Sequence, residues 1–509
     1  MSDAMLLGVD LGAGSLKATI IGIEGTVQGE ATVPIRTDMP KPGWSEQNPE
    51  DWYSGLCTAV PKAIKQSGVS AGALKAMSFS AGAHTPVLLD SNDQVIRPAI
   101  LWSDLRSSGE ARELLEMAKE EILRISFNLP AATWTLPQLL WLQRNEPDSV
   151  AAAKRLLIAK DYLRLRLTGE WHIDCVDAAG TMMADVRSNT WSPELYNLID
   201  WDPLTLPPIV EPTRHIGNVS KRGASDSGLP EGLPVIAGTM DTAIETFGAG
   251  SINPGDGTIK LATAGTVCVV SDRSVAHRSV IDYPHVVPGR YFSITGTNSC
   301  ASAHRWLCDL FYSPGTTKGA ANIFEVMDLE ASKVPAGSDG MLFHPYLSGE
   351  RSPYWDEKLR ADFIGVTMRH SRGHFVRALY EGIAFSLFDC NLCFKAEGLE
   401  METVRLIGGG SKSATWSQIV CDVFGKPVSV PVNGDASFGA ALLAGVGIGV
   451  FASEAEAVSQ CVRVARVFEP NVERTALYRD LFEIYKDSQA SLASINHRLF
   501  NFSLGQVGT

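Results

Sequence analysis

The chain has 509 residues, too many for one hydrophobic core, and predicts two large domains or more. With 45% hydrophobic and 20% charged residues it has a globular composition, and a formal net charge of −13 argues against nucleic acid or an anionic membrane as main partner. Nine scattered cysteines and no signal-peptide pattern point to a reducing cytoplasm.

In chain order, the first elements lie in MLLGVDLGAGSLKATIIGIEG, which opens at Met5. It reads as a strand (Leu6–Leu11), a glycine-rich turn and a second strand (Leu16–Ile23). A further turn at Glu24–Gly25–Thr26 leads to a third strand. The aliphatic, β-branched run after the first turn has no helical period. The spacing of a dinucleotide-binding glycine motif is absent, as is a GxxxxGK[ST] phosphate loop. Asp10 therefore sits at the mouth of a β-hairpin, where burying a carboxylate is costly without a charged or hydrogen-bonding partner.

DWYSGLCTAVPKAIKQSG reads as a helix, and LKAMSFSAGAH as a strand entering a small-residue loop. LPVIAGTMD reads as another strand, followed by a short helix and a Gly/Pro-rich break in DTAIETFGAGSINPGDG. GTIKLATAGTVCVVSD then repeats the strand–turn–strand pattern, so the halves look like a duplicated α/β unit hinged near residues 250 to 257. The basic cluster Arg369, His370, Arg372, His374 and Arg377 reads as a solvated face or helix start. Cys390 and Cys393 read as core thiols, because no second pair completes a zinc site. The uncharged stretch Ala436–Ser453 is rich in glycine and reads as a buried helix and turn rather than a membrane span. Leu477, Tyr478, Leu481, Phe482 and Tyr485 mark one face of a C-terminal helix.

GVDLGAGSLK, PGWSEQNPEDWY, AILWSDLR, AKDYLRLRLTGE, DAAGTMMADV, PVIAGTMDTA, YLSGERSPYWD, EGIAFSL, LIGGGSKSATWSQIVCDVFGKPV and GDASFGAAL occur in this order over most of the chain. Together they resemble the FGGY family of carbohydrate kinases, nearest to its xylulose-phosphorylating members. The resemblance implies an α/β, two-domain actin/hexokinase/Hsp70-like ATPase fold, ribonuclease H-like and duplicated. Residues 1–250 would hold the sugar pocket, the first phosphate hairpin and the catalytic aspartate. Residues 251–509 would hold the second hairpin, the adenosine site and the C-terminal helix.

The resemblance further implies that Asp10 faces the Mg²⁺ of metal–ATP, with the amides and small side chains of Gly12, Ala13, Gly14 and Ser15 against the phosphates. Lys17 is the phosphate-side cation. Successive amides in a glycine turn make an anion nest, and oxygen ligands suit Mg²⁺; on its residues alone, Asp10 could equally be a turn cap. Asp241 occupies the catalytic-base position and shares the metal. A carboxylate can accept the proton of an attacking sugar hydroxyl, and a helix-opening aspartate can also be an N-cap. In the second hairpin, Thr263 falls where the family has a threonine, Ala262 and Ala264 replace a glycine and a serine, and Gly265 and Thr266 take up the phosphate contacts. Gly408, Gly409 and Gly410, with Ser411 and Ser413, resemble the adenosine turn, and GDASFGAAL is expected as a helix close beside it.

For the sugar, His84 matches the family's ketose-binding histidine, although a lone histidine after a strand is more often structural. Ala83 and Gly82 replace a methionine and a glutamine, which predicts a roomier pocket. Trp102, Asp104 and Arg106 match the family's sugar-wall stretch, with Ser103 replacing an asparagine. A tryptophan face beside a donor–acceptor pair suits a polyol. The implied substrates are metal–ATP and a small sugar, D-xylulose first, with L-xylulose, ribulose, erythritol or gluconate as alternatives. A homodimer is frequent among such relatives. A nucleotide-gated chaperone or filament on the same fold is the competing class. A chaperone would need a further substrate-binding domain, and a filament would have no use for the pocket motifs.

Overall fold

The N-terminal hairpin forms as the alternation of its residues dictates. β1 (Met5–Leu11) and β2 (Ser15–Gly22) pair antiparallel from Met5 opposite Gly22 to Leu11 opposite Leu16. β3 (Val27–Pro34) continues the meander and β4 (Leu74–Ala81) lies parallel to β1 on its other side. With β5 (His215–Asn218), β6 (Pro234–Ile236) and β7 (Thr239–Met240), the sheet order is β5-β6-β4-β1-β2-β3, and β7 also pairs with β4. β1 is central and buried over nearly its whole length, which explains its apolar run up to Asp10. The helix Pro49–Ser67 begins at Asn48, whose side chain accepts the Glu50 amide, and presents Trp52, Leu56, Val60 and Ala63 to the core. The computed structural model describes residues 4–277, 279–312 and 322–506.

Two compact units make up the chain. Unit 1 contains residues up to Ile252, Asp272–Phe292 and Asn433–Arg463, and unit 2 contains Asn253–Ser271, Ser293–Val432 and the chain from Val464. The chain thus leaves unit 1 close to the break at residues 250 to 257 and returns to it twice.

The second return contains the helix Ala436–Gly447, which carries GDASFGAAL. It lies in unit 1 against β1, β4 and the helix Asp241–Gly248. The reason is close approach: a Cβ on Gly8 of β1 would stand 1.9 Å from the Ser437 carbonyl, and one on Gly439 would stand 2.4 Å from the Ile244 carbonyl. Two glycines in contact surfaces admit a helix that no larger pair would.

In unit 2, β8 (Asp256–Leu261) and β9 (Gly265–Ser271) form the second hairpin. With β10 (Tyr291–Thr297), β11 (Thr403–Ile407), β12 (Val428–Pro431) and β13 (Val464–Phe468), six strands of a seven-stranded sheet run in the order β10-β9-β8-β11-β12-β13. The helix Arg372–Ala396 opens on a Ser371/His374 capping box. Its basic residues are paired internally: Arg372 with Glu330, Arg377 with Glu381, His374 with Asp339. Cys390 and Cys393 pack on this helix, all nine cysteines are free, and no His/Cys/Asp/Glu group among the described residues is arranged to enclose a metal. In the C-terminal helix Val472–Gln506, Tyr478, Phe482 and Tyr485 are buried, while Leu477, expected on the same face, is exposed. No helix among the described residues is long and apolar enough to cross a membrane.

Candidate active site

Asp241 is placed by the break between β6 and β7. Gly238 adopts φ +73°, and a Cβ there would stand 2.0 Å from the Phe79 carbonyl of β4, so only glycine allows β7 to continue on that edge. β7 is held from below by Asp174, which accepts the Thr239 hydroxyl at 2.6 Å and lies 2.6 Å from the fully buried Lys160. Asp241 follows as the first residue of its helix, with Met240 in the cap position. Its carboxylate accepts the Thr242 amide at 2.6 Å and the Thr242 hydroxyl at 3.1 Å.

Asp10 projects from the end of β1. Its Oδ1 is buried and makes no hydrogen bond. Burial above all, then the charges of Asp241 and Glu245, push its carboxyl up to about 8. Glu245 was missed from sequence, although it stands four residues after Asp241 on the same helix and so shares its face. A buried, unpartnered carboxylate oxygen near two further acids is the donor set a hard divalent cation requires. Mg²⁺ characteristically takes one or two carboxylates and completes its shell with water and phosphate, so the residues present fit it without a closed protein cage.

At the tip of this first hairpin Ala13 and Gly14 are exposed, and their amides donate to no protein acceptor among the described residues. The Gly12 amide bonds the Ser15 carbonyl at 2.9 Å, and the Ala13 carbonyl accepts Gln47 at 2.7 Å and Thr37 at 3.2 Å, so the tip is held from one side. Lys17 is already engaged: its ammonium lies 2.8 Å from Glu30 and 2.9 Å from Asp435.

The aromatic wall of unit 1 is built around His84, a non-glycine residue at φ +63°. Its ring stacks on Trp134 with centroids 4.2 Å apart; Nδ1 lies 3.2 Å from the Thr133 carbonyl and Nε2 2.7 Å from the Tyr283 hydroxyl. Burial holds the imidazole down to about 4, so it is neutral at neutral pH. Nδ1 then donates to Thr133 and Nε2 accepts from Tyr283. Trp134 and Tyr283 were not read from sequence; Tyr283 lies 199 residues away in the first returning segment and carried no local signal. Both Asp241 and Asp177 are close enough to raise the Tyr283 phenol, whose shift comes chiefly from burial. The space freed at Gly82 is occupied from outside, since a Cβ there would stand 3.3 Å from Trp102 Cδ1. Ala83, beside it, is half-buried.

Trp102 is 41% exposed, whereas Asp104 and Arg106 are buried. Arg106 forms a two-pronged pair with Asp104 at 2.9 and 2.8 Å and reaches Glu46 at 2.7 Å. Asp104 also accepts the Ser45 amide at 2.6 Å. The pair's polar atoms hold one another and the loop that presents Trp102.

In unit 2 the tip of the second hairpin is fastened to the start of the helix Ala301–Phe311. The Thr263 carbonyl accepts Cys300 N at 3.1 Å, Ser302 N at 3.2 Å and the Ser302 hydroxyl at 2.8 Å. The amides of Ala262, Thr263 and Ala264 donate to no protein acceptor among the described residues. Gly265 is buried, with no room for a side chain between Leu387, Thr297 and Cys300, and Thr266 is half-buried beside it. A cleft lined by Thr263, Ala301, Ser302, Arg305, Trp306 and Asp309 opens here.

The glycine turn after β11 divides its labour. Gly408 (φ +86°) and Gly410 press on Leu261, which a Cβ on either would approach to 2.6 Å, and Gly410 also on Trp416, at 2.9 Å, whereas Gly409 faces open space. The Ser411 hydroxyl closes the turn on the Gly408 carbonyl at 2.8 Å, and Ser413 caps the helix Ala414–Phe424 through the Trp416 amide and donates to Asp328. Beneath the turn, Tyr380 stacks on Trp416 at 4.7 Å, and His304 bridges both rings.

The two α/β units, each with a glycine-turn hairpin at the centre of its sheet, and the family match together define a sugar kinase. Residues 5–248 match the N-terminal domain, and residues 255–448 the C-terminal domain, of the FGGY family of carbohydrate kinases, and the chain belongs to that family. It is 32% identical to the xylulose kinase of Lactococcus lactis subsp. lactis (strain IL1403) over 98% of this chain and 99% of that one. It is 27% identical to the gluconokinase of Bacillus subtilis (strain 168), covering 99% of each. The crystal structure of xylulose kinase from Rhodospirillum rubrum superposes with a TM-score of 0.88 at 28% identity, covering 97% of this chain and all of that one.

Proposed function

We propose that the protein transfers the terminal phosphoryl group of ATP to a hydroxyl of a ketopentose, D-xylulose first, with Mg²⁺. The observation that carries this reading is the setting of Asp241, a carboxylate at the end of β7 whose charge reaches the Tyr283 phenol that holds His84. In the reaction Asp241 accepts the proton of the attacking hydroxyl. Trp102, Trp134 and the His84–Tyr283 pair offer ring faces and directional polar atoms to the sugar, and Asp104 and Arg106 hold the Trp102 loop. The tip amides of Gly12, Ala13 and Gly14 with Ser15, and Thr263, Gly265 and Thr266 of the second hairpin, take phosphate oxygens. Gly408, Gly409, Gly410, Ser411 and Ser413 take the nucleoside. Asp10, with Asp241 through water, would hold Mg²⁺, which when bound neutralises phosphate charge. Nine free thiols fit a reducing cytoplasm.

The acids Asp10, Asp241 and Glu245 favour a neutral polyol over a sugar acid, and the names of the similar xylulose kinases support D-xylulose. Trp102 over Gly82 closes the space that the two small residues at 82 and 83 would leave, which favours an ordinary ketopentose over a longer sugar. The test is ADP release with D-xylulose, L-xylulose, the ribuloses, erythritol, ribitol and gluconate. We expect kcat/KM for D-xylulose more than about tenfold above the rest. A different winner overturns the substrate, and ADP release independent of any sugar overturns the kinase reading.

A further inference from the structure

In unit 2, the buried arginines of this protein have a common pattern with one exception. Arg377 gives its guanidinium to Glu381 at 2.8 Å and to the Tyr478 hydroxyl at 3.0 Å. In unit 1, Arg106 is saturated by Asp104 and Glu46, and both terminal nitrogens of Arg164 are engaged, by Asp161 and the carbonyls of Ala237 and His172, although its Nε is buried without a hydrogen bond. Arg351, from YLSGERSPYWD, stands apart. Its Nε is buried without a hydrogen bond, and its guanidinium makes no hydrogen bond or ion pair among the described residues.

The natural counter-ion is its neighbour Glu350, but that carboxylate is taken up elsewhere. It accepts the Thr297 hydroxyl at 2.6 Å, the Asn298 amide at 2.9 Å, the Arg351 amide at 2.8 Å and the Ser386 hydroxyl at 3.4 Å. Burial also pushes the Glu350 carboxyl up to about 7, so at neutral pH it supplies only part of a charge. A half-buried guanidinium whose Nε is shut off from water without an acceptor is a group that an incoming anion would satisfy.

The position of Arg351 says which ligand. The Ser352 amide donates to the Gly296 carbonyl at 3.2 Å and lays the segment along β10. A Cβ placed on Gly296 would lie 3.0 Å from Arg351 Nη2, 2.6 Å from the Gly265 carbonyl and 3.4 Å from Thr266 Cγ2. The guanidinium therefore adjoins the second hairpin, whose tip amides are also without protein acceptors. An unsatisfied fork of N–H donors beside unsatisfied amides matches tetrahedral phosphoryl oxygens, which arginine binds through two parallel hydrogen bonds.

We propose that Arg351 is a phosphoryl-binding residue of the second hairpin, taking the terminal phosphate of the nucleotide. It fills the role that Lys17 cannot fill while held by Glu30 and Asp435. The proposal rests on the kinase reading, since it identifies the anion as the nucleotide's.

The test is calorimetric titration of the full chain, wild type and Arg351→Gln, with AMP, ADP, the β,γ-imido analogue of ATP, inorganic phosphate and xylulose 5-phosphate. Binding of the imido analogue is expected to weaken about 10- to 100-fold in Arg351→Gln, the range for losing a charge-assisted contact, with AMP unchanged. Arg351→Lys should recover part of the affinity, and guanidinium ion added to Arg351→Ala should raise kcat. Unchanged analogue binding in a folded Arg351→Gln protein overturns the proposal. So does an effect confined to xylulose 5-phosphate, which would assign the residue to the product instead. If neither the Gln nor the Lys variant folds, Arg351 is structural and the proposal is overturned as well. Failure of the kinase reading has a separate signature, a wild-type protein that releases no ADP with any sugar.

Discussion

The two glycine-turn hairpins share a shape and differ in charge. Each is an antiparallel pair at the centre of a sheet, each exposes tip amides without an acceptor among the described residues, and each is fastened from one side, by Gln47 and Thr37 in the first and by Ser302 in the second. Around the first stand Asp10, Asp241, Glu245 and Asp435, and Lys17 is consumed by Glu30 and Asp435. Beside the second stands Arg351, unpaired. The nests alike offer amide donors, while the side chains around the first ask for a cation and those beside the second for an anion. On the proposed function, backbone geometry would make each phosphate site, and side chains beyond the turn would decide whether metal or arginine balances the phosphate.

The largest expected effect removes Asp241, the acid proposed to accept the proton. Asp241→Asn should lower kcat by about 10²- to 10⁴-fold while nucleotide affinity, measured by calorimetry, stays near wild type. Near-normal turnover in that variant would take Asp241 out of the reaction.

Next in size is the support beneath each hairpin. Gly8→Ala drives a Cβ into backbone atoms of the helix Ala436–Gly447, which cannot retreat, and should cost about 1–3 kcal/mol or more in urea unfolding. Gly265→Ala meets mainly side-chain methyl groups, which can shift, and should cost about 1 kcal/mol. Equal costs would show that the two supports are equally rigid.

The pH dependence follows from His84. Its pKa falls from 6.5 in the unfolded chain to about 4 in the fold, so between those values the unfolded state binds a proton that the folded state does not. This contribution to stability is complete above about pH 6.5 and is lost as pH falls toward 4. Urea midpoints at pH 7, 5.5 and 4.5 should show a shallower decline in His84→Gln than in the wild type.

The smallest effects belong to the exposed parts of the first hairpin. Lys17→Gln breaks a partly exposed ion pair and should change stability by less than about 1 kcal/mol. It should disturb nucleotide binding less than Arg351→Gln does; the reverse order would invert the assignment of the two cations. Gly14→Ala, with open space at the Cβ, should stay within about 0.5 kcal/mol of wild type.

What could be read along the chain was whatever depends on near neighbours. Period-two apolar runs broken by glycines give hairpins whatever the rest of the protein does, so β1–β2 and β8–β9, and with them Asp10 and the turn residues, were legible. So were Asp241 at a strand-to-helix junction and the Gly408–Gly410 turn. Partnership over distance was not. Asp435 meets Lys17 across 418 residues and Tyr283 meets His84 across 199, and nothing local in either pair announces the other. The docking of GDASFGAAL on β1 was decided by the fit of Gly8 and Gly439 against backbone, a property of two surfaces together. Whether Lys17 or Arg351 is free to meet a phosphate depends on which acids pack around each, and only the folded chain makes that choice, because burial separates a charge from water and leaves its nearest partner to decide its fate.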